Sequence, residues 1–227
     1  YIGIDIGGTK TAVSLGIVAE NSFEIQDRVE VPTSTPVQTF QKLSEHIKRF
    51  CLENGVVGAG ISCGGSLDTK NGIIVSPPNL PLWHGFHIVS YIKEQFGLDA
   101  KLENDANACA VAEWRFGAGK GVSNMVFLTF GTGLGAGLII DGKLYVGTNG
   151  NAGELGHIRL AKDGPIGYGK CGSFEGFCSG GGITRLAKIM AKRYKKIPDC
   201  IEKMGGLEQI NTKKLSEFAF NGDKFAK

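Results

Sequence analysis

The chain has 227 residues, of which 42% are hydrophobic, and its formal net charge is +3 at pH 7. This length exceeds a typical single domain and allows two lobes of ordinary size. The small charge argues against a nucleic-acid or membrane partner, and no apolar run is long enough to span a bilayer. The 6 cysteines form no C-x-x-C pair. They are typical of reduced thiols, so we expect a cytoplasmic protein.

The first half of the chain is predicted to alternate strands with helices. Residues 1–31 predict three strands, the first two of which flank a glycine-rich turn. Apolar residues then recur at helical spacing and predict a helix over 37–53, closed by Gly55. A buried strand over 56–62, a hairpin turn over 68–72 and a proline-rich loop over 76–83 follow.

The second half begins with a predicted helix over 88–96, a short strand over 101–103 and an Ala-rich helix over 106–116. Glycines at 117–123 indicate a boundary between an N-terminal lobe (1–117) and a C-terminal lobe (118–227). A strand over 124–130 returns through 138–140, and 141–143 form another turn. An amphipathic basic helix is predicted over 183–194, with its lysines on a solvated face, and the remainder is moderately helical.

Two glycine-rich turns, each between predicted strands, carry the main functional signal. They are Asp5-Ile6-Gly7-Gly8-Thr9-Lys10 and Gly131-Thr132-Gly133-Leu134-Gly135-Ala136-Gly137. Glycines let backbone N–H groups approach an anion closely, and Thr and Lys add side-chain donors. Neither turn has the spacing of a P-loop or of a dinucleotide-binding loop. Each taken alone is equally consistent with an ordinary hairpin, whereas the two together suit a polyphosphate.

Asp105 follows a predicted strand and lies at or near the start of a helix. It has two interpretations. It could simply cap the helix N-terminus, which is a common use of aspartate there. Alternatively, it could direct a carboxylate into a cleft. The preceding Asn104 favours the second interpretation, because a cap needs only one of the two side chains.

The two turns, in this order, resemble the phosphate-binding turns of the sugar kinase, actin and Hsp70 superfamily. Asp-x-Gly-Gly-Thr-Lys is typical of its ROK group (repressors, open reading frames and kinases). The resemblance extends from residue 4 to about 187 and includes Gly60–Gly65, Asn79, Asn104-Asp105, Glu154–His157, and Glu175 with Ser179-Gly180. It implies an α/β fold of two RNase H-like (actin/hexokinase-type) lobes with an interlobe cleft. Because family members continue further, we expect the C-terminal lobe to be incomplete at its C-terminus.

The resemblance implies an ATP-dependent hexose or hexosamine kinase, with N-acetylmannosamine or glucose favoured. Asp105 matches the general base that deprotonates a sugar hydroxyl, usually O6. The implied sugar-binding residues are Gly65, Ser66, Asn79, Asn104, Asp105, Glu154, His157 and Glu175. The implied ATP-binding residues are Gly7, Gly8, Thr9, Lys10, Gly131, Thr132 and Gly133, with Asp5 holding Mg²⁺ through water. A homodimer is an expectation from the resemblance alone.

The chain departs from the family at its zinc site. Most ROK kinases bind zinc through the His of Glu-x-Gly-His and three cysteines, and the aligned cysteine positions here are Ile166, Tyr168 and Ser173. None of these can act as a thiolate ligand. We therefore expect no zinc, and we hypothesise that packing by Ile166, Tyr168 and Phe174 replaces it.

Two other readings stay open. A sugar-sensing transcriptional regulator of the ROK type would not need catalysis, but such regulators carry a helix-turn-helix ahead of the first strand, which we do not expect here. A catalytic base at Asp105 also favours an enzyme. The third reading, a glycine-rich globular protein with accidental motifs, requires five motifs to agree in order by chance.

Overall fold

The computed structural model describes residues 1–20 and 22–227. It divides into two compact units, of which unit 1 comprises Tyr1–Phe127 and Gly137–Ala152, and unit 2 comprises Leu128–Ala136 and Gly153–Lys227. The lobe boundary expected between residues 117 and 118 stays a prediction. Within the described part of the chain, no helix is both long and apolar enough to cross a membrane.

Unit 1 contains most of the strands. Its first seven strands are β1 (Ile2–Ile6), β2 (Lys10–Val18), β3 (Phe23–Pro32), β4 (Ala59–Cys63), β5 (Leu67–Asp68), β6 (Ile73–Ile74) and β7 (Ala100–Asn104). Its helices are α1 (Pro36–Asn54), α2 (Ile88–Phe96) and α3 (Asp105–Phe116), with a 3₁₀ turn at Pro81–Trp83. The strands β8 (Met125–Phe130) and β9 (Leu134–Ile140) contribute residues to both units, and β10 (Lys143–Leu144) follows them.

Unit 2 is mainly helical. Its elements are the short strands β11 (Ile166–Gly167) and β12 (Lys170–Cys171), and the helices α4 (Phe174–Cys178), α5 (Gly180–Ala191), α6 (Asp199–Met204) and α7 (Thr212–Phe220). Two 3₁₀ turns lie at Leu155–His157 and Leu207–Gln209. A cluster of buried residues from α5, α6 and α7, which includes Ala187, Ile201 and Leu215, forms a core of its own.

The main sheet of unit 1 has the strand order β3-β2-β1-β4-β7. β1 and β2 are antiparallel, as are β2 and β3, whereas β1, β4 and β7 run parallel. The register pairs Ile6 with Cys63, and Cys63 with Asn104. The carboxyl ends of the three parallel strands are therefore level, and the residues that follow them emerge at one edge of the sheet.

Helix α1 forms where the spacing of apolar residues predicts it. Thr35 caps its N-terminus by accepting a hydrogen bond from Gln38 N, and Pro36 occupies the first turn. Gly55, with φ at 56°, ends it in the left-handed conformation that favours glycine. Its apolar face lies in the core of unit 1, where Phe40, Leu43, Ile47 and Phe50 are buried.

Other predicted elements are confirmed, with shifts at several ends. Helix α2 has the predicted bounds, and the strand pair β5–β6 confirms the hairpin over 68–72. The strand predicted from residue 56 begins only at Ala59, since Val57 is 70% exposed. The helix predicted from residue 183 begins earlier, at Gly180, because Ser179 caps it by accepting from Gly182 N.

The core of unit 1 generates a stability prediction. Phe40 is fully buried, with its ring 6.1 Å from that of Trp83 and 5.3 Å from that of Tyr91 between centroids. Phe40→Ala should lower the free energy of unfolding by about 3–5 kcal/mol, because it removes these contacts and leaves a cavity. Chemical denaturation of the purified protein measures this.

Val37 lies on the same helix and is 50% exposed, so Val37→Ala serves as the matched control. It should change the free energy of unfolding by no more than about 0.5 kcal/mol. Equal effects of the two substitutions would contradict the position of α1 on the sheet.

Candidate active site

The first glycine-rich turn leaves β1 at the level edge of the sheet and packs against the proline-rich loop. A Cβ at Gly8 would lie 2.8 Å from the carbonyl oxygen of Asn79 and 3.0 Å from its Cβ. Such a contact is too close for any side chain, so only glycine allows this approach. The turn and Asn79, both predicted site residues, are thus brought together.

Thr33, which follows β3, holds the first glycine-rich turn in place through two hydrogen bonds. The hydroxyl of Thr33 donates to Gly7 O at 2.7 Å, and its backbone N–H donates to Thr9 O at 2.9 Å. Gly7 N donates to Lys10 O at 3.0 Å and closes the turn. Thr33 is not among the site residues that the sequence predicts. The feature that could have identified it is its position directly after β3, the strand that pairs with β2.

Lys10 was predicted to bind phosphate, and it carries a partner within unit 1. Its ammonium lies 2.6 Å from Glu30 Oε1. The hydrogen bond from Lys10 is the main cause that holds the pKa of Glu30 below its usual value, and Arg28 adds to it. The side chain of Lys10 is exposed, so the ion pair lies at the surface.

Asp105 and Asn104 divide two roles at the start of α3. Asn104 is the cap, because its Oδ1 accepts from Ala106 N at 2.9 Å and from Asn107 N at 3.3 Å. Asp105 is the first residue of the helix and is exposed. The interpretation of Asp105 as a simple N-cap is therefore wrong. The helix predicted from residue 106 also begins one residue earlier than expected.

The carboxylate of Asp105 faces the turn that follows β4. Its Oδ1 accepts from Ala106 N at 2.8 Å, and its Oδ2 lies 3.2 Å from the point that a Cβ of Gly64 would occupy. Gly64 thus leaves open the space in front of Oδ2. The carboxylate therefore adjoins the turn that follows β4, at the carboxyl ends of the parallel strands.

Two residues that the sequence analysis missed hold this corner in place. Oε1 of Glu103 accepts from Asn104 N at 2.9 Å and from Asn107 Nδ2 at 3.0 Å. Asn107 is 2% exposed, and its Oδ1 has no hydrogen-bond partner among the described residues. The available signal was a polar residue on the buried face of an Ala-rich helix. These bonds fix the angle at which α3 leaves β7.

The turn after β4 is held against the proline-rich loop. Gly65 has φ at 88°, and a Cβ there would lie 2.5 Å from Pro77 Cβ. The carbonyl oxygen of Ser66 accepts from Val75 N at 3.0 Å and from Ser76 N at 3.3 Å. Gly65 and Ser66, both predicted sugar-binding residues, thus adjoin the loop that carries Asn79.

Cys63 lies buried beneath this edge. Burial raises the pKa of its thiol to about 12, and the negative charges of Asp105 and Asp5 add to the increase. Both carboxylates therefore lie close enough to Cys63 for their fields to act on it. The thiol stays protonated at neutral pH and brings no further negative charge to the edge.

In unit 2, the second glycine-rich turn is joined to the start of α5. Gly131 N donates to Gly133 O at 3.0 Å within the turn. Gly180 N donates to Gly131 O at 2.8 Å, and Gly181 N donates to Thr132 O at 3.4 Å. The helix start and the turn therefore form one piece.

Glu175 and the segment Glu154–His157 also meet the second turn. Glu175 Oε2 accepts from Leu134 N at 3.1 Å and lies 2.8 Å from the point that a Cβ of Gly133 would occupy. A Cβ at Gly156 would lie 2.7 Å from Leu134 O. Glu175 thus contacts the second glycine-rich turn at Gly133 and Leu134. His157 directly follows Gly156, which contacts the same turn at Leu134.

His157 is held by side chains. Its Nε2 lies 3.5 Å from Glu154 Oε2, and its ring meets that of Tyr168 edge-on with 5.0 Å between centroids. Within the described residues, no group of three or more His, Cys, Asp or Glu side chains is arranged to hold a metal ion.

The three positions that align with zinc-binding cysteines have different environments. Ser173 is buried and caps α4, accepting from Gly176 N at 3.1 Å. Tyr168 contacts His157 as described, but Ile166 is 53% exposed. Phe174 packs on Phe130, with ring centroids 6.2 Å apart. The residues present do not fit a zinc ion. The packing hypothesis is supported at Phe174, whereas the exposure of Ile166 and of Tyr168, which is 68% exposed, speaks against it at those two positions.

The predicted site residues therefore form two sets, one in each unit. Unit 1 contains Asp5, Gly7, Gly8, Thr9, Lys10, Gly65, Ser66, Asn79, Asn104 and Asp105. Unit 2 contains Gly131, Thr132, Gly133, Glu154, His157 and Glu175. Their roles toward a ligand stay predictions.

The ROK family's sequence model matches residues 1–227. The glucokinase of Thermotoga maritima is 34% identical over 232 residues, a match that covers 99% of the chain and 71% of that relative. The glucokinase of Streptomyces coelicolor is 38% identical over 192 residues, covering 84% of the chain. The chain spans only 59% of the length of this second relative.

Solved structures and regulators also match. The crystal structure of a ROK family glucokinase from Streptomyces griseus, in complex with glucose and AMPPNP, superposes with a TM-score of 0.74 at 34% identity. The match covers 99% of the chain and 72% of that structure. The xylose repressor of Caldicellulosiruptor bescii is 31% identical, over 98% of the chain and 57% of the repressor.

The cap at Asn104 can be tested without reference to activity. Asn104→Ala should lower the free energy of unfolding by about 1 kcal/mol, because two N–H groups of α3 lose their acceptor. Asn104→Asp keeps a capping oxygen and should retain most of the stability. Denaturation curves of the two variants measure the difference, and equal losses would contradict the capping role.

Proposed function

The chain belongs to the ROK family, and on that premise we propose that it is an ATP-dependent kinase that phosphorylates O6 of a hexose or hexosamine. Its mixed α/β fold is that of the actin and hexokinase type, which its structural neighbours share. The observation that carries the proposal is the Asp105 carboxylate, which is relieved of capping by Asn104 and faces Gly64.

In this proposal Asp105 acts as the general base. It accepts the proton of the sugar hydroxyl while that oxygen forms a bond to the γ-phosphorus of ATP. The bond between the γ-phosphorus and the bridging oxygen breaks, and ADP leaves with the electron pair. Phosphoryl transfer depends mainly on positioning and charge stabilisation, so one well-placed carboxylate is sufficient base.

The polar side chains that the family resemblance implies are proposed to bind the sugar. Asn104 uses Oδ1 as a cap, so its amide NH₂ is the group left for a hydroxyl. Glu175 engages Leu134 N through Oε2, which leaves Oε1 as an acceptor. Carboxylates, amides and an imidazole together can both accept from and donate to vicinal hydroxyls. Asn79, Glu154 and His157 complete the proposed set, with the backbone around Gly65 and Ser66.

The glycine-rich turns are proposed to bind the phosphates of ATP. Gly8 and Thr9 offer backbone and hydroxyl donors in the first turn, which the bond from Gly7 N to Lys10 O closes, and Thr132 and Gly133 offer them in the second. Asp5 is exposed and its carboxylate is a ligand type that Mg²⁺ accepts, directly or through water. Bound Mg²⁺ would neutralise charge on the β- and γ-phosphates.

The sugar is the least determined part of the proposal. Two matching relatives are named glucokinase, so glucose is the first candidate. N-acetylmannosamine is the second, in line with the resemblance of Ile61-Ser62-Cys63-Gly64-Gly65 to some N-acetylmannosamine kinases. A panel of glucose, mannose, N-acetylglucosamine and N-acetylmannosamine with ATP and Mg²⁺, read as ADP release, tests both. The absence of turnover with every sugar would refute the kinase.

A sugar-sensing regulator is the alternative, because a xylose repressor matches 98% of the chain. A regulator would bind sugar without releasing ADP and would bind operator DNA. The retained carboxylate at Asp105 favours the enzyme, since a sensor has no need of a base. Sugar binding with no turnover, together with operator binding, would favour the regulator.

Replacing Asp105 tests the mechanism. Asp105→Asn keeps the size of the side chain and removes the basic oxygen. The kcat for sugar phosphorylation should fall by at least about 100-fold, the low end of the contribution of a general base, while sugar binding survives. Steady-state kinetics and calorimetric sugar binding measure the two effects.

The matched control is Asp99→Asn, which makes the same chemical change at an exposed aspartate that pairs with Lys93. Its kcat should stay within a factor of about two of the wild-type value. Turnover of the Asp105→Asn variant close to that of this control would refute the base role.

A further inference from the structure

Unit 2 contains a cavity of 490 Å³ beside the second glycine-rich turn. Its lining consists of Gly131, Thr132, Gly180, Gly181, Thr184, Arg185, Lys188 and Thr212. Glycines and threonines make up most of this surface, and no aromatic or aliphatic side chain belongs to it. The two cations, Arg185 and Lys188, lie one turn apart on α5. These two cations are the groups of the lining that could attract an anionic ligand.

The backbone donors at the start of α5 are already used. Gly180 N and Gly181 N donate to the carbonyls of Gly131 and Thr132, and Gly182 N donates to Ser179 Oγ at 3.0 Å. The helix N-terminus therefore offers these N–H groups to the protein and not to a ligand. Any anion in the cavity must be bound chiefly by side chains.

The hydroxyls and one of the two cations are also engaged. Thr184 and Thr212 both donate to Gly180 O. Lys188 Nζ lies 2.7 Å from Glu208 Oε2, and this hydrogen bond is the main cause that lowers the pKa of Glu208. The charge of Lys188 is thus balanced before any ligand arrives.

Arg185 differs from Lys188 in this respect. Among the residues that the structure describes, its guanidinium makes no ion pair and no hydrogen bond. Arg185 Nη1 and Thr132 O each lie 3.2 Å from the point that a Cβ of Gly181 would occupy. The guanidinium therefore lies over the helix start, close to the second turn, and the lack of a side chain at Gly181 leaves room for it.

We propose that Arg185 binds the phosphate groups of the phosphoryl donor and of its diphosphate product, a role that rests on the proposed kinase function. A guanidinium presents a planar set of donors that matches two phosphate oxygens at once. Its charge is unbalanced within unit 2, and it adjoins the turn proposed to hold phosphates. Arg185 is not among the site residues that the sequence predicts. The feature that could have identified it is a cation five residues after Gly180 on the same helix.

Binding of ADP to the purified protein tests the proposal directly. Arg185→Gln should raise the Kd for ADP about tenfold or more, as expected for the loss of a charged hydrogen-bonding group. The Kd for adenosine, which has no phosphate, should not change. Arg185→Lys should recover part of the affinity, because it restores the charge without the planar donors.

Kinetics provide the second measurement. The KM for ATP should rise in Arg185→Gln by a similar factor, with the KM for the sugar unchanged. Lys192→Gln is the matched control, since it removes one positive charge from the residue that caps the end of the same helix. Lys192 does not line the cavity, and its replacement should leave the Kd for ADP unchanged.

Distinct results separate the two proposals. Unchanged ADP binding in Arg185→Gln overturns the role of Arg185, and so does an equal loss of adenosine binding, which would indicate contact with the nucleoside. A wild-type protein that binds no ADP refutes both proposals. A wild-type protein that binds ADP but phosphorylates no sugar refutes the kinase alone, and Arg185 is then judged on ADP binding.

Discussion

The arrangement of unit 1 depends on the register of three parallel strands. Ile6, Cys63 and Asn104 are level across β1, β4 and β7, and each is followed at once by a turn or a helix start. Buried side chains alternate along β1 and β4, so a slip of one residue would turn a buried face to solvent. The core therefore fixes the register, and the register brings Gly7, Gly64 and Asp105 to one edge.

Unit 2 fixes its turn by another device, the close packing of backbones without side chains. A Cβ at Gly182 would lie 2.3 Å from Gly176 O, and one at Gly167 would lie 2.4 Å from Gly176 N. These glycines allow α4, α5 and β11 to approach closely. The start of α5 can then donate its N–H groups to the second glycine-rich turn, so those groups are already used where they face the cavity.

The sequence predicts those features that neighbouring residues determine. The apolar spacing over 88–96 followed by Gly97 predicts α2 correctly, and the glycine-rich motifs locate both turns. Contacts between distant residues leave no local signal. Thr33 bonds to Gly7 across 26 positions, and Arg185 adjoins the second glycine-rich turn because it lies over Gly181. Which of two adjacent polar residues caps α3, Asn104, and which begins the helix, Asp105, also depends on backbone angles that the sequence does not reveal.

The proposed base at Asp105 depends on a division of roles at the start of α3, because Asn104 and not Asp105 caps the helix. Asp105 accepts from a backbone N–H through Oδ1 alone, and because Asn104 provides the cap, Oδ2 is left to face Gly64. Asn104 supplies the cap without adding charge, and Glu103 and Asn107 hold the corner so that the carboxylate keeps its direction. Beneath it, Cys63 remains a neutral thiol because its pKa is about 12. The negative charge at this edge therefore comes from Glu103, which is engaged in holding the corner, and from Asp105 and Asp5, the two groups proposed to accept the hydroxyl proton and to hold Mg²⁺.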